Sequence, residues 1–328
     1  MNSYVISKNS GGRTSAYMTR LLQEKYGRSY VISVFNDTGA EHPLTYEFID
    51  DCDTHFGFNT IRLRAVVHHG EVKGNTYLEI PSEISKWDLS AMKEILKKYG
   101  GFTINRPHCT SKLKTDITTK FLVDKNLSEY TSWLGIRIDE PPRLVGKSSY
   151  SKLKKTGMTA DEIADHFIAT RQGDYSGLTE DQSEIYKARD DQLRKLNIRY
   201  LAEISDFDKQ DVLNWWSNQS FDLQIPEHLG NCVFCIKKSD VKIALAQRHE
   251  PELFKEWVEM HMSDDVRLMK ADAKGIGHIY RNWETPEMLI ARFSGYTTSE
   301  LIERVYKTGS VDTGSCSESC EVHSELWD

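Results

Sequence analysis

Apolar runs and amphipathic periods alternate along the first part of the chain. Residues 4–6 and 30–35 are apolar runs that predict buried strands, and helical spacing of apolar positions follows each of them, at 16–23 and 45–56. Strands that alternate with helices favour a parallel sheet with helices on its faces. We therefore predict a Rossmann-like, mostly parallel α/β sheet with helical C-terminal segments.

The pattern changes after about residue 145. Residues 151–199 are polar with a helical period, which predicts a basic helical insertion that covers the functional site. Helical periods continue at 209–216, 237–267 and 285–293. We divide the chain into an α/β domain at 1–145, the insertion at 146–199, and a helical C-terminal region at 200–328 that ends in a mobile, cysteine-containing tail.

A glycine turn joins the first strand to the first helix. Gly11 and Gly12 tolerate positive φ and a close ligand, while the helix start supplies unpaired N–H groups and the positive end of its dipole. Hydroxyl groups flank the glycines on both sides. We predict that this turn binds phosphate, although such residues also form plain surface loops. Its residues are Ser10, Gly11, Gly12, Arg13, Thr14 and Ser15.

Polar residues also follow the second strand. Asp37, Thr38 and Gly39 come directly after the apolar run, and an open parallel sheet binds ligands at the carboxyl ends of its strands. We expect these residues to contact the same ligand as the glycine turn. Asp37 can instead cap the helix that follows.

Composition limits the possible environment and partners. The 328 residues carry a net charge of −7, so the molecule as a whole lacks the positive charge typical of general nucleic-acid binding. No apolar run approaches the ~18 residues of a membrane span. We expect a soluble, cytoplasmic protein without a membrane partner. Two basic clusters could bind a nucleic acid or another anionic acceptor, or could be solvated faces. They are Lys147, Lys152, Lys154 and Lys155, and Lys187, Arg189, Arg194, Lys195 and Arg199.

Six cysteines without a secretory signal favour thiol or metal chemistry over structural disulfides. Cys232 and Cys235 form a Cys-x-x-Cys pair that can face one metal centre, and Cys109, at a predicted helix start, can supply a third thiolate. A redox dithiol is the alternative for the pair. Cys52 is expected to be a buried apolar residue.

The glycine turn resembles the Ser-Gly-Gly-x-[Asp/Thr]-Ser loop of the PP-loop ATP pyrophosphatases. The Asp-Thr-Gly segment at 37–39, and the later Pro-x-Thr-x-x-Phe, are similar to the phosphoadenylyl sulfate (PAPS) reductase family within that superfamily. The resemblance implies an adenine nucleotide alpha hydrolase-like sheet in residues 1–145. It also implies ATP with Mg²⁺, or PAPS or adenylyl sulfate, as the ligand, with Asp37 orienting ribose or a metal.

Two further segments extend the resemblance. Gly135 and Arg137, with Arg143 downstream, are similar to the family's Gly-[Ile/Leu]-Arg-x-[Asp/Glu] segment, whose arginines hold phosphate or sulfate. Cys109 and Lys114 resemble the Cys-Cys-x-x-x-Lys segment of cluster-containing adenylyl-sulfate reductases, with Thr110 in place of the second cysteine. Three thiolates, from Cys109, Cys232 and Cys235, would leave one iron of a [4Fe-4S] cluster open.

A cluster with one open iron resembles the arrangement in the DNA phosphorothioation enzymes of this superfamily and in the cluster-dependent tRNA thiolases. Zinc, completed by His108 or His228, is the competing occupant. In the tail, Cys320 keeps the Cys-x-x-His spacing of the sulfonucleotide reductases' nucleophile, ending at His323. A catalytic Cys320 and a solvated tail both remain open.

Our leading hypothesis is an enzyme that adenylates an acceptor with ATP and then transfers sulfur from the cluster, using a sulfur donor. In it, Lys114, Arg137 and Arg143 act at the site. The alternative is a sulfonucleotide reductase, in which Cys320 attacks the sulfur of PAPS or adenylyl sulfate and a thioredoxin-like reductant releases sulfite. A non-catalytic nucleotide sensor is the third hypothesis.

Overall fold

A computed structural model describes residues 4–70, 74–101, 108–268, 280 and 284–307. Six strands form one sheet in the order β4-β3-β2-β1-β5-β6, and every neighbouring pair is parallel except β3 and β4. The strands are β1 (Tyr4–Asn9), β2 (Val31–Asp37), β3 (Ile61–Val67), β4 (Asn75–Ile80), β5 (Tyr130–Leu134) and β6 (Ile198–Tyr200). The predicted α/β class with a mostly parallel sheet is therefore confirmed.

Helices cover both faces of this sheet and build most of the chain beyond it. In chain order they are α1 (Arg13–Tyr26), α2 (Pro43–Phe56), α3 (Ser90–Tyr99), α4 (His108–Thr110), α5 (Asp116–Asp124), α6 (Pro141–Val145), α7 (Lys147–Lys155), α8 (Ala160–Arg171), α9 (Glu180–Lys195), α10 (Lys209–Ser217), α11 (Asp240–His249), α12 (Pro251–His261), α13 (Pro286–Ala291) and α14 (Thr298–Lys307). A π-helical turn, Ser111–Thr115, joins α4 to α5. The run predicted at 237–267 is two helices, because Pro251 begins a new one.

The strand order reverses direction between β1 and β5. The chain builds outward from β1 to β4 and then returns to place β5 on the other side of β1. In open parallel sheets such a switch point leaves a crevice at the carboxyl ends of the two strands. The chain segments that follow β1 and β5 therefore meet at this edge.

The insertion packs against the β6 edge of the sheet and has its own apolar core. Buried residues of α8 and α9 pack together with residues of β5 and β6, among them Ile163, Phe167, Leu193, Leu134 and Ile198. Both helices begin with a capping box, at Thr159 and Thr179. This packing gives the insertion a fixed position beside the sheet.

In the described ranges, no helix is long and apolar enough to cross a membrane.

The core beneath α1, α2 and α10 is rich in aromatic rings. Trp216 is fully buried, and its ring centroid lies 4.9 Å from that of Phe48. Cys52 is buried in the same core, as predicted, and burial raises the pKa of its thiol.

Candidate functional site

A cavity of about 740 Å³ lies at the switch point of the sheet. Its walls come from the glycine turn, from the segment after β5, and from residues 208–231 of the C-terminal region. The lining residues are Ser10, Gly11, Gly12, Arg13, Thr14, Ser15, Thr45, Gly135, Arg137, Asp139, Asp208, Lys209, Gln210, Val212, Leu213, Leu223, Ile225, Pro226, Glu227, Gly230, Asn231 and Tyr306. All six residues of the predicted turn thus line one cavity with Gly135 and Arg137.

No residue of the insertion lines this cavity. We expected residues 146–199 to cover the functional site, and in the structure they do not line this cavity. The insertion instead buries its apolar residues against β5 and β6. Its influence on the cavity is indirect, through the segment that follows β5.

The glycine turn is held by its own side chains. Ser15 Oγ accepts a hydrogen bond from Ser10 N at 3.1 Å and donates to Gly12 O at 2.9 Å. Asn9 Oδ1 accepts from Gly11 N at 3.0 Å. Gly11 has φ of +76°, and a Cβ there would lie 2.4 Å from Thr45 Cγ2, so this position requires glycine.

The helix that follows the turn has no side-chain cap. Gly12 is the N-cap of α1 and makes no side-chain hydrogen bond, so the first-turn N–H groups lack the usual hydroxyl or carboxylate acceptor. Two buried polar atoms beside the turn, Asn9 Nδ2 and Thr45 Oγ1, have no hydrogen-bond partner among the described residues. Unused donors at a helix start form a site that suits an anion.

Arg13 is directed away from this anion site. Its guanidinium makes two hydrogen bonds to the carboxylate of Asp222, at 2.6 and 2.9 Å, and also donates to Leu223 O. Trp216 Nε1 donates to Arg13 O at 2.9 Å. Arg13 therefore connects the turn to the C-terminal wall of the cavity rather than extending toward phosphate.

Gly135 and Arg137 lie against the start of α1. A Cβ on Gly135 would be 3.3 Å from Ser15 N, so only a small residue allows the two segments to approach this closely. Arg137 is buried, and its Nη1 donates to Thr14 Oγ1 at 3.3 Å. The same guanidinium donates to both oxygens of Asp139, at 2.8 and 3.1 Å. This places a planar cation beside the glycine turn.

Arg143 does not line the cavity. It is buried on α6 and donates to Glu140 Oε1 at 2.8 Å, while Glu140 Oε2 accepts from Arg137 N at 3.0 Å. Glu140 thus links the two arginines. The geometry supports a positioning role for Arg143, and its predicted contact with a ligand stays a prediction.

Asp37 is fully buried at the end of β2 and accepts hydrogen bonds from four groups. Its oxygens accept from Gly39 N at 2.8 Å, Arg64 Nη2 at 2.7 Å, Ser85 Oγ at 3.0 Å and Tyr46 OH at 3.2 Å. The carboxylate therefore organises the segment that contains Thr38 and Gly39. Asp37, Thr38 and Gly39 do not line the cavity, so their predicted contact with the ligand stays a prediction.

Glu41, which sequence reasoning did not select, is the second buried carboxylate at this edge. It accepts from Thr38 Oγ1 at 2.8 Å and from Tyr46 OH at 3.2 Å. Burial raises the pKa of Glu41, while the positive charge of Lys114 opposes that rise. Lys114 thus acts on the end of β2 from the π-helical turn.

The Cys-x-x-Cys loop reaches this same edge. Cys232 Sγ donates to Glu41 Oε1 at 3.5 Å, and a backbone bridge joins the same two residues. Val233 N also donates to Ala40 O at 2.9 Å. Asn231, the preceding residue, lines the cavity. One short segment therefore contacts both the cavity and the carboxylate behind it.

Cys109, Cys232 and Cys235 are all buried in the main core. Cys109 lies on α4, directly before the π-helical turn that contains Lys114. Across the described ranges, no three His, Cys, Asp or Glu side chains are grouped so that they could hold a metal ion. The predicted three-thiolate site stays a prediction.

Histidine ligation by His228 is not favoured by the geometry. Its Nδ1 hydrogen-bonds Tyr306 OH at 3.1 Å and its Nε2 hydrogen-bonds His249 Nδ1 at 2.9 Å. Burial, with the nearby cationic groups, lowers the pKa of His228 to about 3. Both ring nitrogens are thus in use within the fold.

One predicted basic residue is internal. Arg189 is buried and donates to Leu144 O at 2.8 Å, to Arg143 O at 3.0 Å and to Tyr200 OH at 2.9 Å. The prediction that Arg189 belongs to a surface for anionic partners is therefore wrong, because its charge is enclosed by carbonyl and hydroxyl oxygens. Lys187 and Lys195 of that cluster are exposed, as are all four lysines of the α7 cluster.

Cys320 and His323, and residues 102–107 directly before His108, lie outside the described residues. The fold and the cavity define an α/β protein with a cavity at the switch point of a mostly parallel sheet. A relative from Escherichia phage lambda, the uncharacterized nin region protein ORF290, is 34% identical over 320 residues, which cover 95% of this chain and 93% of the relative. The chain therefore belongs to the family of that phage protein. No family model and no solved structure matches it.

Proposed function

We propose that the chain is an adenine-nucleotide-binding enzyme of the PAPS reductase branch of the PP-loop superfamily, built on an adenine nucleotide alpha hydrolase-like sheet. The observation that carries the proposal is the cavity of about 740 Å³ lined by the whole glycine turn and by Arg137. Its place at the switch point is where open parallel sheets bind ligands.

The N–H groups at the start of α1 would hold the phosphates of ATP, with Mg²⁺ sharing their charge. An acceptor oxygen would attack the α-phosphorus, and pyrophosphate would leave. Arg137 would stabilise the charge that develops on the phosphate oxygens. Because Asp139 occupies its guanidinium at 2.8 Å, bound phosphate would compete with that carboxylate.

We further propose that Cys109, Cys232 and Cys235 supply thiolates to a [4Fe-4S] cluster, with zinc as the less favoured occupant. Thiolates are soft ligands that suit both an iron–sulfur cluster and zinc. When loaded, the cluster would supply sulfur that displaces AMP from the adenylated acceptor.

A nucleic acid or another anionic molecule is the acceptor class that the surface favours. Helix α7 exposes Lys147, Lys152, Lys154 and Lys155, and no described carboxylate forms an ion pair with any of them. A row of exposed cations attracts a polyanion and releases its counterions. This surface belongs to the insertion, beside the sheet.

Anaerobic purification with iron, sulfide and zinc counted per chain tests the cluster. Pyrophosphate release from ATP, measured with candidate acceptors, tests the adenylation. We expect Arg137→Ala to lower the rate by about tenfold or more. Arg20→Ala is the matched control, because Arg20 does not line the cavity and contacts Glu24 and the ring of Phe56 instead. An iron-free active protein would exclude the cluster, and absence of ATP binding would exclude the nucleotide site.

A sulfonucleotide reductase is the second candidate. Tyr306, near the end of α14, lines the cavity, so the chain that leads on to Cys320 starts beside the proposed ligand site. Cys320→Ser should abolish sulfite release from PAPS with a thioredoxin-like reductant, and it should spare pyrophosphate release from ATP. Nucleotide binding without either product would identify a sensor.

A further inference from the structure

Lys238 lies fully buried directly after the Cys-x-x-Cys loop. Its ammonium group donates hydrogen bonds to three backbone carbonyls, His228 O at 2.7 Å, Gly230 O at 2.8 Å and Val233 O at 3.1 Å. An ammonium group has three donors, and a buried charge is costly unless such donors are satisfied. Three carbonyls from one short segment therefore surround this cation.

The surrounded segment contains residues of both the cavity and the thiol pair. Gly230 and Asn231 line the cavity, and Asn231 adopts a left-handed conformation with φ of +54°. Cys235 N donates to Cys232 O at 3.2 Å, and Lys238 N donates to Cys235 O at 2.9 Å. The backbone from 228 to 238 thus turns around one internal charge.

We propose that Lys238 is an internal cation that holds the Cys232–Cys235 loop in place without a metal ion. In structural zinc sites, a Cys-x-x-Cys loop is organised by the metal, and a chelator unfolds it. Here the ammonium group takes over that organising role. The two thiols are consequently not needed to fold the loop, and they are available for a guest centre or for transfer chemistry.

Lys238 is thereby a positioning residue for the cavity. It holds Asn231 at the cavity wall and Cys232 against Glu41, on opposite sides of the same peptide segment. That this geometry serves a nucleotide rests on the proposed function. The metal-independent folding of the loop does not depend on the proposed function. An experiment can therefore disprove either claim without disproving the other.

The first test is thermal unfolding under reducing conditions, with and without EDTA. We expect EDTA to leave the Tm of cluster-free wild type unchanged, and Cys232→Ser/Cys235→Ser to unfold close to that form of the wild type. Lys238→Met should lower Tm by about 5–10 °C, because three carbonyls lose a charged donor. Lys237→Met is the matched control, since Lys237 lies in the same loop and donates to none of these carbonyls.

The second test separates local positioning from general stability. In folded Lys238→Met, thiol modification mapped by mass spectrometry should accelerate about tenfold or more at Cys232 and Cys235, through local opening of the loop. The rate at Cys52, a buried core residue of α2, should not change. Lys237→Met should behave like the wild type at all three cysteines.

Several results would overturn the proposal. A loss of Tm on adding EDTA to the wild type would show that a metal holds the loop. A double serine variant as unstable as Lys238→Met would show that the thiols do so. Equal acceleration at Cys52 and Cys232 would reduce Lys238 to a general stabilising residue. The EDTA and serine measurements remain decisive if Lys238→Met does not fold.

Discussion

At the scale of single residues, the glycine turn shows how two adjacent glycines have different tasks. Gly11 has a left-handed backbone and lies against Thr45, whereas Gly12 has φ of −104° and an extended conformation. A Cβ at Gly12 would come no closer than 3.6 Å to its nearest neighbour, Ser10 Oγ. Only Gly11 is therefore required by the fold itself.

We predict that Gly11→Ala lowers the free energy of unfolding by about 1–3 kcal/mol, because it combines backbone strain with a collision at Thr45. Gly12→Ala should cost little stability but should weaken phosphate binding, since its Cβ would enter the cavity. Urea unfolding and nucleotide titration of both variants measure the two effects. Equal stability loss in the two variants would contradict this division.

Lys8 presents a different problem for a single residue. It is buried on the central strand β1, one residue before Asn9, and no described residue forms an ion pair or hydrogen bond with its ammonium group. Burial lowers the pKa of Lys8 to about 7. The folded protein therefore disfavours a proton that the unfolded chain would keep up to a pH of about 10.4.

The sign of the pH dependence follows from that lowered pKa. The unfolded chain binds more protons than the folded protein between about pH 10 and 7, so stability falls as pH decreases through this window. We predict that Lys8→Met increases the free energy of unfolding by about 2–4 kcal/mol at pH 7 and removes this dependence. Urea unfolding at pH 7 and 9.5 measures both effects, with Lys86→Met, an exposed lysine, as the control.

A less stable Lys8→Met would contradict this prediction. It would show that the amine has a favourable interaction that its burial on β1 does not reveal. An unchanged pH dependence would locate the titration in another group. The measurement therefore decides whether buried Lys8 lowers the free energy of unfolding.

At the scale of elements, short α6 depends on a residue of α9. Arg189 donates to the carbonyl oxygens of Arg143 and Leu144, which are among the last residues of α6. Carbonyls at a helix end lack intrahelical donors, and a cation near them is favourable. The insertion thereby supports the segment that contains Arg137.

We predict that Arg189→Met lowers the free energy of unfolding by about 2–4 kcal/mol, because it leaves buried carbonyls without a donor. Lys187→Met, an exposed change on the same helix, should have almost no effect. Guanidinium unfolding of both variants measures the difference. A mild effect of Arg189→Met would mean that water replaces the guanidinium at α6.

Sequence patterns identified some elements and missed others for physical reasons. The runs before and after the glycine turn were recognisable because β1, β2, α1 and α2 show uninterrupted apolar spacing. Strand β3 was missed because Arg62 and Arg64 interrupt its apolar pattern. Their charges are matched by carboxylates outside the strand, which are Asp50, Asp53, Asp37 and Asp88. With three residues, β6 is too short for a periodic signal.

The candidate site was predictable to a similar extent. The glycine turn, Gly135 and Arg137 line one cavity because parallel strands end at the same edge, which sequence order implies. The ion pair of Arg13 with Asp222 and the enclosure of Arg189 depend on partners that are distant in sequence, so no local pattern predicts them. Glu41 gave no signal because its importance comes from Cys232, 191 positions away.

At the scale of the whole molecule, the cavity exists because the α/β part and the C-terminal part are held together across it. Arg13, at the start of α1, forms a two-pronged ion pair with Asp222, and both side chains are partly shielded from solvent. The backbone of Arg13 also accepts a hydrogen bond from Trp216. This connection fixes the distance between the glycine turn and the opposite wall.

We predict that a double-mutant cycle of Arg13→Ala and Asp222→Ala gives a coupling energy of about 1–2 kcal/mol in unfolding, well above that of an exposed pair. Arg20 and Glu24, an ion pair four residues apart on α1 in which the Glu24 side chain is 51% exposed, provide the control cycle, with about 0.3–0.5 kcal/mol expected. Each single variant should also weaken nucleotide binding, because the wall containing Leu223 would separate from the turn. A coupling no larger than the control would mean that aromatic packing around Trp216, rather than this ion pair, holds the two parts of the cavity together.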